Sequence, residues 1–390
     1  MSREIDLWRT VLGDATLMER SARVDSSDVS AITSLRRDYS AQAVSVALSM
    51  IEARRKAQRK FGERGRSLIA DVAGVEQASG AAVAAYKARR FADLLGGGAT
   101  IADLCCGIGG DAMALADAGL DVIAVDRDPL RAWMARQNGG PRMQAVCSDV
   151  ATLGVAGMPI HLDPARRVEK SGRRVWRMED MQPGPQVVGP FIEHSGCAAI
   201  KLSPGVDLEA LPWAGELEFI SEHGRLVQAV LWCGRCAQTS RRATLIDARG
   251  THTLHGDPTW SGFHPLQHYL YTFDAAVERA ELIGHLSAQV DAPVVHPKLG
   301  LLTSENIIDS PWLKGFEFIE QLPWRPKRVK QWLAANDAGL VEVKTRGKAC
   351  DPDKEQLRLR GKGDTPYVVF VLRFDTKVQA LITRRLSPAD

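Results

Sequence analysis

The segment DLCCGIGGD, from Asp103 to Asp111, combines the residue types that a ligand-binding loop needs. It follows the apolar run TIADL, which predicts a buried strand, and it opens a helical stretch, DAMALADAG. Gly107 and Gly109 allow the backbone to pass close to a ligand, and the start of a helix presents free N–H groups there. The pattern is not specific by itself, because Gly107, Gly109 and Ala112 also satisfy the dinucleotide-binding pattern G-x-G-x-x-A.

Three aspartates at predicted strand ends indicate which ligand this loop holds. Asp126 ends the next apolar run, 23 residues after Asp103, where a carboxylate can accept both ribose hydroxyls. Asp149 ends the third run and is placed to accept from an adenine amino group. Asp103 suits the amino group of a methionine moiety, whereas it would repel a pyrophosphate. The set favours S-adenosylmethionine as the cofactor, and the alternative is an oxidoreductase that binds a nicotinamide or flavin dinucleotide.

The segment HLDPARR supplies the candidate catalytic residues Asp163, Pro164 and Arg166 at the end of the fourth predicted strand. In amino-directed methyltransferases this place holds D/N-P-P and an aromatic residue, and its acceptors orient the nitrogen of the target amine. Here Ala165 replaces the second proline, and Arg166 replaces the aromatic ring. Arg166 can stack on a base or bind a phosphate. The alternative is that DPARR only shapes the cofactor pocket and that catalysis has been lost.

Polar residues beside this segment are candidate substrate contacts. Arg167 continues the DPARR segment, and Lys201 and Ser203 lie in KLSPG after the fifth predicted strand. The three are expected at the same rim, with Lys201 as a phosphate contact. For Lys201 the alternative is a lysine that only caps a strand end.

These side chains must be positioned by an α/β fold. The apolar runs TIADL, DVIAVD, MQAVC, PIHLD and CAAIKL, separated by crossovers, predict a parallel sheet with helices on both faces. Eight residues connect RLVQAVLW and RRATLIDA, which is too short for a crossover helix, so we expect these two runs to form an antiparallel hairpin. Residues 1–95 have helical spacing, and residues 313–390 form another α/β unit. The fold class is therefore a Rossmann-like class I methyltransferase core with flanking domains.

DLCCGIGGD, VDRDP and DPARR resemble a bacterial family of class I S-adenosylmethionine-dependent methyltransferases with a C-terminal THUMP-like domain. EQAS, KLSPG, EVKTRG and LRLRGKG fit the same family, and the resemblance runs from about Arg54 onward. A more distant resemblance is to the trimethylguanosine synthases, which methylate a guanine amino group on RNA caps. The family implies four parts: an N-terminal helical cap (1–95), a methyltransferase core (96–256), a small ferredoxin-like segment (257–312) and a THUMP-like domain (313–390).

The resemblance also implies roles for individual residues. The cofactor loop corresponds to Asp103, Cys105, Gly107 and Gly109, and Asp126 corresponds to the ribose-binding acid. Cys105 stands where most class I enzymes have their first glycine. A segment containing Gln77 and Ser79 is implied to pack over the cofactor.

Clusters of cations indicate RNA as the partner, ribosomal or transfer RNA in particular. The net charge is only +3, but residues 54–66 hold seven basic residues against one acid, and residues 166–177 hold six against one. Residues 314–364 hold twelve against eight. There Arg346 and Arg360 belong to two trios that alternate in sequence, which predicts two rows of cations on strand faces. An RNA-binding protein with a catalytically inactive methyltransferase fold is the alternative function.

Other features limit the functional classes. There is no apolar run of about 18 residues, so we expect no membrane span, and the N-terminus lacks the apolar stretch of a signal peptide. Seven cysteines, two of them adjacent, do not form a disulfide framework, which predicts a reduced cytoplasmic protein. Cys233 and Cys236 have metal-ligand spacing but no second pair, so no metal site is expected.

Overall fold

The computed structural model describes residues 3–25, 27–154, 157–166, 181–296, 299–346 and 348–386. The chain divides into two compact units. The first comprises Met1–Glu216 and Gln228–Gln238, and the second comprises Leu217–Val227 and Thr239–Asp390.

Helices occupy the N-terminal quarter of the chain and the crossovers that follow. In chain order they are α1 (Arg3–Gly13), α2 (Ala15–Ala22), α3 (Val29–Asp38), α4 (Ala41–Phe61), α5 (Val72–Gln77), α6 (Ala81–Leu95), α7 (Gly110–Asp117), α8 (Pro129–Asn138), α9 (Pro185–Ser195), α10 (Ala275–Arg279), α11 (Ile283–Val290), α12 (Pro326–Ala335) and α13 (Pro352–Leu359). Short 3₁₀ turns cover Gly62–Arg66 and Val150–Thr152.

Strands begin at Thr100 and continue to the end of the described chain. In chain order they are β1 (Thr100–Leu104), β2 (Asp121–Asp126), β3 (Met143–Cys147), β4 (Ile160–Leu162), β5 (Ala165–Arg166), β6 (Met181–Gln182), β7 (Cys197–Leu202), β8 (Glu216–Glu222), β9 (Arg225–Gly234), β10 (Arg241–Asp247), β11 (Gly250–Gly256), β12 (Tyr269–Phe273), β13 (Leu301–Ser304), β14 (Leu313–Pro323), β15 (Ala338–Arg346), β16 (Thr365–Phe374) and β17 (Lys377–Arg385).

The N-terminal helices form because their apolar residues recur every three or four positions and their starts are capped. In α4, the longest described helix, Val44, Ala47 and Met50 are buried along one face. The Ser40 side chain accepts the Ala43 N–H at its start, which satisfies one of the donors that a helix N-terminus leaves free. The helical character predicted for residues 1–95 is confirmed.

The sheet of the first unit holds the strands in the order β9-β7-β4-β1-β2-β3. β1 pairs in parallel with β2 and β4, β2 with β3, and β4 with β7, while β9 runs antiparallel to β7. The predicted parallel sheet is therefore confirmed. Its carboxyl edge gathers the residues at or just after the ends of β1, β2 and β4, where Asp103, Asp126 and Asp163 lie.

The hairpin predicted between RLVQAVLW and RRATLIDA was wrong. In the second unit β10 lies between β8, to which it is parallel, and β11, to which it is antiparallel. A buried hydrogen bond contributes to this choice, because Thr244 Oγ1 on β10 donates to Glu218 Oε1 on β8 over 2.5 Å. A buried carboxylate needs such a donor, and the pairing of β8 with β10 supplies one for Glu218.

The rest of the second unit contains a separate sheet in the order β13-β12-β14-β17-β16-β15. β15 and β16 are parallel, and the other pairs along this sheet are antiparallel. Helices α12 and α13 contribute the buried side chains of Val329, Leu333 and Leu359 to the core formed with β15 and β16.

One of the two predicted rows of cations does not form on a strand. Arg358 lies in the last turn of α13, and Arg360 is its C-cap. The helix forms because the Asp351 side chain accepts the Lys354 N–H and Pro352 occupies the first turn. The prediction that Arg358 and Arg360 alternate along a strand was therefore wrong.

Two cysteines of the first unit are paired. Cys197 and Cys236 are joined by a disulfide, which differs from the expected reduced chain. It arises because the pairing of β7 with β9 brings the start of β7 beside the residues that follow β9, with 5.1 Å between the two Cα atoms. Within the described ranges, every helix is too short or too polar to cross a membrane.

Candidate active site

The loop between β1 and α7 contains three residues with left-handed backbone. Their φ angles are +59° at Cys105, +58° at Gly107 and +87° at Gly109. A Cβ added to Gly107 would meet no atom within 4 Å, so the loop faces open space there. A Cβ on Gly109 would lie 2.9 Å from Met143 Cε, so this glycine is required by packing as well as by its conformation. Gly107 is thus the position where a ligand can approach the backbone.

Asp126 is fixed to this loop by two backbone donors. The Gly107 N–H donates to Oδ2 and the Asp128 N–H donates to Oδ1, each over 2.9 Å. Burial raises the pKa of Asp126, although both donors oppose the shift. Each carboxylate oxygen keeps an acceptor site, so the group can accept two hydroxyls as predicted for a ribose.

Asp103 is buried, with 1% of its surface exposed. His161 Nδ1 lies 2.7 Å from Asp103 Oδ1. Asp103 Oδ2 has no hydrogen-bond partner among the described residues. Burial raises the pKa of Asp103, and the hydrogen bond from His161 opposes this shift in part. An unpartnered buried carboxylate oxygen is costly, so Oδ2 fits a ligand donor such as the ammonium of a methionine moiety.

A chain of buried polar groups continues behind Asp103. Lys87 Nζ lies 2.9 Å from His161 Nε2 and 2.8 Å from Asp111 Oδ1. The Ser79 hydroxyl donates to Asp111 Oδ2 over 2.8 Å. This network assigns the ring proton of His161 to Nδ1, because Lys87 can only donate to Nε2. Burial acts against ionisation of Asp111, yet the charge of the Lys87 ammonium holds its pKa well below the usual range.

Sequence reasoning did not identify Lys87, His161 or Asp111 as site residues, although two of them stand inside quoted motifs. The signal that could have revealed Lys87 is its position on the buried face of α6, between Val83 and Phe91. A lysine is almost never fully buried unless it is paired, so this position required partners. His161 faces Asp103 directly across the β1–β4 pairing.

Asp163 and Lys201 form an ion pair at the same edge of the sheet. Lys201 Nζ lies 2.6 Å from Asp163 Oδ2, and it also donates to the backbone carbonyl of Gln77 over 3.4 Å. The backbone N–H of Asp163 donates to the Leu104 carbonyl, which ties the segment to the end of β1. The structure thus brings together Asp163, Lys201 and the backbone of Gln77.

Cys105 lies within the electrostatic reach of both edge carboxylates. Burial raises the pKa of the Cys105 thiol strongly, and the charges of Asp126 and Asp163 raise it further. Cys105 therefore stays protonated, beside the two acids that the sequence assigns to cofactor and substrate.

The remaining candidates of the first unit lie near this edge in different settings. Asp149 is exposed and accepts the Ala151 N–H at the start of a 3₁₀ turn. Ser203 is buried and accepts the Gly205 N–H over 3.2 Å. Pro164 is buried, and the backbone of Arg166 pairs with Met181. Arg167 lies outside the described residues.

The two candidates of the second unit differ in their surroundings. Arg346 Nη1 lies 2.9 and 3.1 Å from the carboxylate oxygens of Glu278. Arg360 is exposed. Within the described ranges, no group of three His, Cys, Asp or Glu side chains could hold a metal ion.

Cations of the 54–66 cluster are largely occupied within the first unit. Arg64 pairs with both oxygens of Asp117, and Lys56 pairs with Glu76. Lys60 donates to the backbone carbonyl of Val75. These contacts attach the end of α4 to α5 and α7, which is a structural role.

The chain is similar to known proteins in sequence and in fold. Residues 313–385 match the family described as THUMP domain-like. Over 336 residues the chain is 34% identical to uncharacterized S-adenosylmethionine-dependent methyltransferases of Mycobacterium tuberculosis strains CDC 1551 and H37Rv, covering 82% of this chain and 90% of each relative. A solved structure of a provisionally assigned methyltransferase from Porphyromonas gingivalis W83 has 18% identity and a TM-score of 0.75, over 98% of both chains. The predicted fold class and family resemblance are confirmed.

Proposed function

The chain belongs to the family of S-adenosylmethionine-dependent methyltransferases, and we propose that it methylates a base of structured RNA, ribosomal or transfer RNA. The observation that carries the proposal is the position of Asp163, which lies just after β4 and is held by Lys201 beside the cofactor loop. When bound, S-adenosylmethionine supplies an electrophilic methyl group on its sulfonium.

Two acids of the sheet edge would hold this cofactor. The free Oδ2 of Asp103 would accept from its ammonium, and the network through His161 fixes that carboxylate. Asp126 would accept from the ribose hydroxyls while Gly107 and Asp128 hold it in place. Asp149 would accept from the adenine amino group. The contacts described above support these roles, because each carboxylate keeps acceptor capacity after its protein donors are counted.

Asp163 would orient the target amine. Lys201 occupies Oδ2, and Oδ1 has no hydrogen-bond partner within the described part of the chain. Oδ1 would accept an N–H of the amine, which aims the nitrogen lone pair at the methyl donor. The same carboxylate would stabilise the positive charge that develops on the nitrogen. Lys201 limits the rotation of the carboxylate, and its own contact with the Gln77 carbonyl fixes the pair.

Two observations support RNA rather than a small molecule as the substrate. Residues 313–385 match a THUMP domain-like family, and the same segment carries an excess of basic residues. The cations of the 54–66 cluster contribute less than the sequence predicts, because Lys56, Lys60 and Arg64 already have protein partners. Among the clusters that the structure describes, phosphate contacts are therefore expected mainly from the second unit; residues 167–177 of the other predicted cluster lie outside the described residues.

Nucleoside analysis of cellular RNA tests the proposal. Cells that lack the protein should lose one methylated nucleoside from ribosomal or transfer RNA, and the wild-type chain should restore it. Asp163→Ala should fail to restore it. Asp207→Ala, which removes an exposed carboxylate on the loop after β7, is the matched control and should restore it fully. If no nucleoside changes, the alternative of an RNA-binding protein without turnover is favoured.

A further inference from the structure

A groove rich in cations lies at the N-terminus of α12, within the segment that matches the THUMP domain-like family. Its volume is about 630 Å³, and we call it the α12 groove. It is lined by Trp324, Arg325, Pro326, Lys327, Arg328, Gln331 and Arg358. Four of these seven residues are basic and none is acidic, which makes the groove a strongly positive site.

The positive charge of the groove is largely uncompensated. Arg325, Lys327 and Arg328 are exposed, and within the described ranges no acid lies within 4.0 Å of their charged groups. Arg358 has only a 3.7 Å contact with Glu355. By contrast, Arg346 of the predicted strand row is already paired with Glu278. A basic groove without counter-charges favours a phosphate group, which releases counterions when it is neutralised.

The backbone at the start of α12 also contributes positive potential to the groove. α12 runs for ten residues, and no side chain caps its N-terminus at Arg325. The helix dipole therefore adds positive potential at the point where three cationic side chains begin. Pro326 has no N–H and the Arg328 N–H donates to the Arg325 carbonyl over 2.9 Å, so the N–H of Lys327 is the first-turn donor left for an anion among the described contacts.

Trp324 gives the groove an aromatic wall. Its backbone N–H donates to the Val378 carbonyl over 3.0 Å, and its partly buried ring packs against the core below α12. The ring is thus held at the edge of the cavity. Aromatic side chains beside a cationic track bind nucleotides by base stacking, without sequence preference.

We propose that the α12 groove binds one nucleotide of the RNA substrate, with its phosphate on Lys327, Arg328 and the helix N-terminus and its base stacked on Trp324. The cavity volume falls within the range of about 300–1,000 Å³ that small ligands occupy. The inference rests on the proposed RNA-directed function and names the surface that holds the RNA. A free nucleotide carries the same phosphate and base, so the test distinguishes RNA from a free nucleotide.

The experiment compares two double variants of the full chain. Lys327→Ala/Arg328→Ala removes two groove cations. Arg373→Ala/Lys377→Ala removes one exposed arginine and one exposed lysine from the β16–β17 turn of the same segment, outside the groove. Fluorescein-labelled structured RNA is titrated at several salt concentrations, and thermal unfolding checks that both variants fold.

The groove variant should bind RNA about tenfold or more weakly at 0.1 M salt, with a log–log salt slope lower by about two. The control variant should match the wild type. Trp324→Leu should weaken binding while leaving the salt slope unchanged. Equal affinity and slope for the two double variants would overturn the groove assignment while leaving the RNA-directed function intact. Failure of the wild-type chain to bind RNA would overturn both.

Adenosine monophosphate is titrated in a second arm to separate the sources of phosphate. Weak or undetectable binding of the free nucleotide, together with loss of RNA binding in the groove variant, supports RNA as the ligand. Tight nucleotide binding that the groove variant loses, with RNA binding unchanged, would overturn the RNA assignment and make the groove a nucleotide site.

Discussion

His161 Nδ1 lies 2.7 Å from Asp103 Oδ1, and the two residues face each other in the register of β4 and β1. Both side chains have only 1% of their surface exposed. The parallel pairing of the two strands fixes their separation, so the hydrogen bond holds the Asp103 carboxylate in one orientation. That orientation leaves Oδ2 as the free acceptor at the carboxyl edge of the sheet.

Removing the imidazole should weaken cofactor binding. His161→Ala leaves Asp103 free to rotate and removes the contact between His161 Nε2 and Lys87 Nζ. We therefore expect S-adenosylhomocysteine to bind about 10- to 100-fold more weakly, since a hydrogen bond to a charged group contributes about 1.5–3 kcal/mol. Isothermal titration calorimetry measures the change. His255→Ala, at an exposed position on β11, is the control. An affinity within twofold of wild type in a folded His161→Ala protein would contradict the positioning role.

The ribose contact is tested at the two ends of β2. Asp126→Ala removes the carboxylate at the carboxyl end, and we expect a loss of about 1.5–3 kcal/mol in cofactor binding. Asp121→Ala removes a half-exposed carboxylate at the other end of the same strand, where it pairs with Arg142. Calorimetry should therefore show weak binding for the first variant and wild-type binding for the second. Equal affinities would refute the assignment of Asp126 to the ribose.

Cofactor binding should weaken on acidification at a higher pH than an ordinary aspartate requires. Burial raises the pKa of Asp103 and of Asp126. Each must be ionised to accept from the ammonium or to hold the ribose with full strength. Affinity should therefore be complete near neutral pH and should fall as the pH drops toward the raised pKa values, above the ordinary value of about 3.9. Asp126→Asn should reduce this dependence. An affinity that does not change between pH 7 and pH 4 would contradict this expectation.

Cysteine alkylation provides a test that does not depend on turnover. Burial and the charges of Asp126 and Asp163 raise the pKa of Cys105, so little thiolate forms at pH 8 and iodoacetamide should modify it slowly. Cys147 is exposed and serves as the internal comparison. S-adenosylhomocysteine should protect Cys105 further and leave Cys147 unchanged, as followed by peptide mass spectrometry. Rapid alkylation of Cys105 that the ligand does not slow would place the cofactor elsewhere.

The sequence was sufficient to predict the parallel sheet and the edge that gathers the acids. Apolar runs separated by crossovers require parallel pairing, and parallel strands bring their carboxyl ends to one edge. Asp103 and Asp126 could therefore be placed at one edge of the sheet before any distance was known. The placement of Gln77 and Ser79 over the cofactor is implied only by the family resemblance and stays a prediction.

Other features depend on pairings that sequence spacing does not encode. The buried network around Lys87 could not be predicted, because it depends on α6 packing this lysine against His161 and Asp111. The partner of β10 is β8 rather than β9, because strand order is a property of the whole sheet. Arg358 lies in a helix because the N-cap at Asp351 favours helix, whereas the alternation of basic residues in the sequence predicted a strand.

The central claim is that Asp163 orients an RNA base for methyl transfer from S-adenosylmethionine. Methyl-labelled S-adenosylmethionine is incubated with RNA from cells that lack the protein, and label in the RNA is counted. The wild-type chain should transfer label, and Asp163→Ala should transfer it about a hundredfold or more slowly while binding S-adenosylhomocysteine with unchanged affinity. Absence of labelled RNA with the wild-type chain, or transfer by Asp163→Ala at the wild-type rate, would contradict the account.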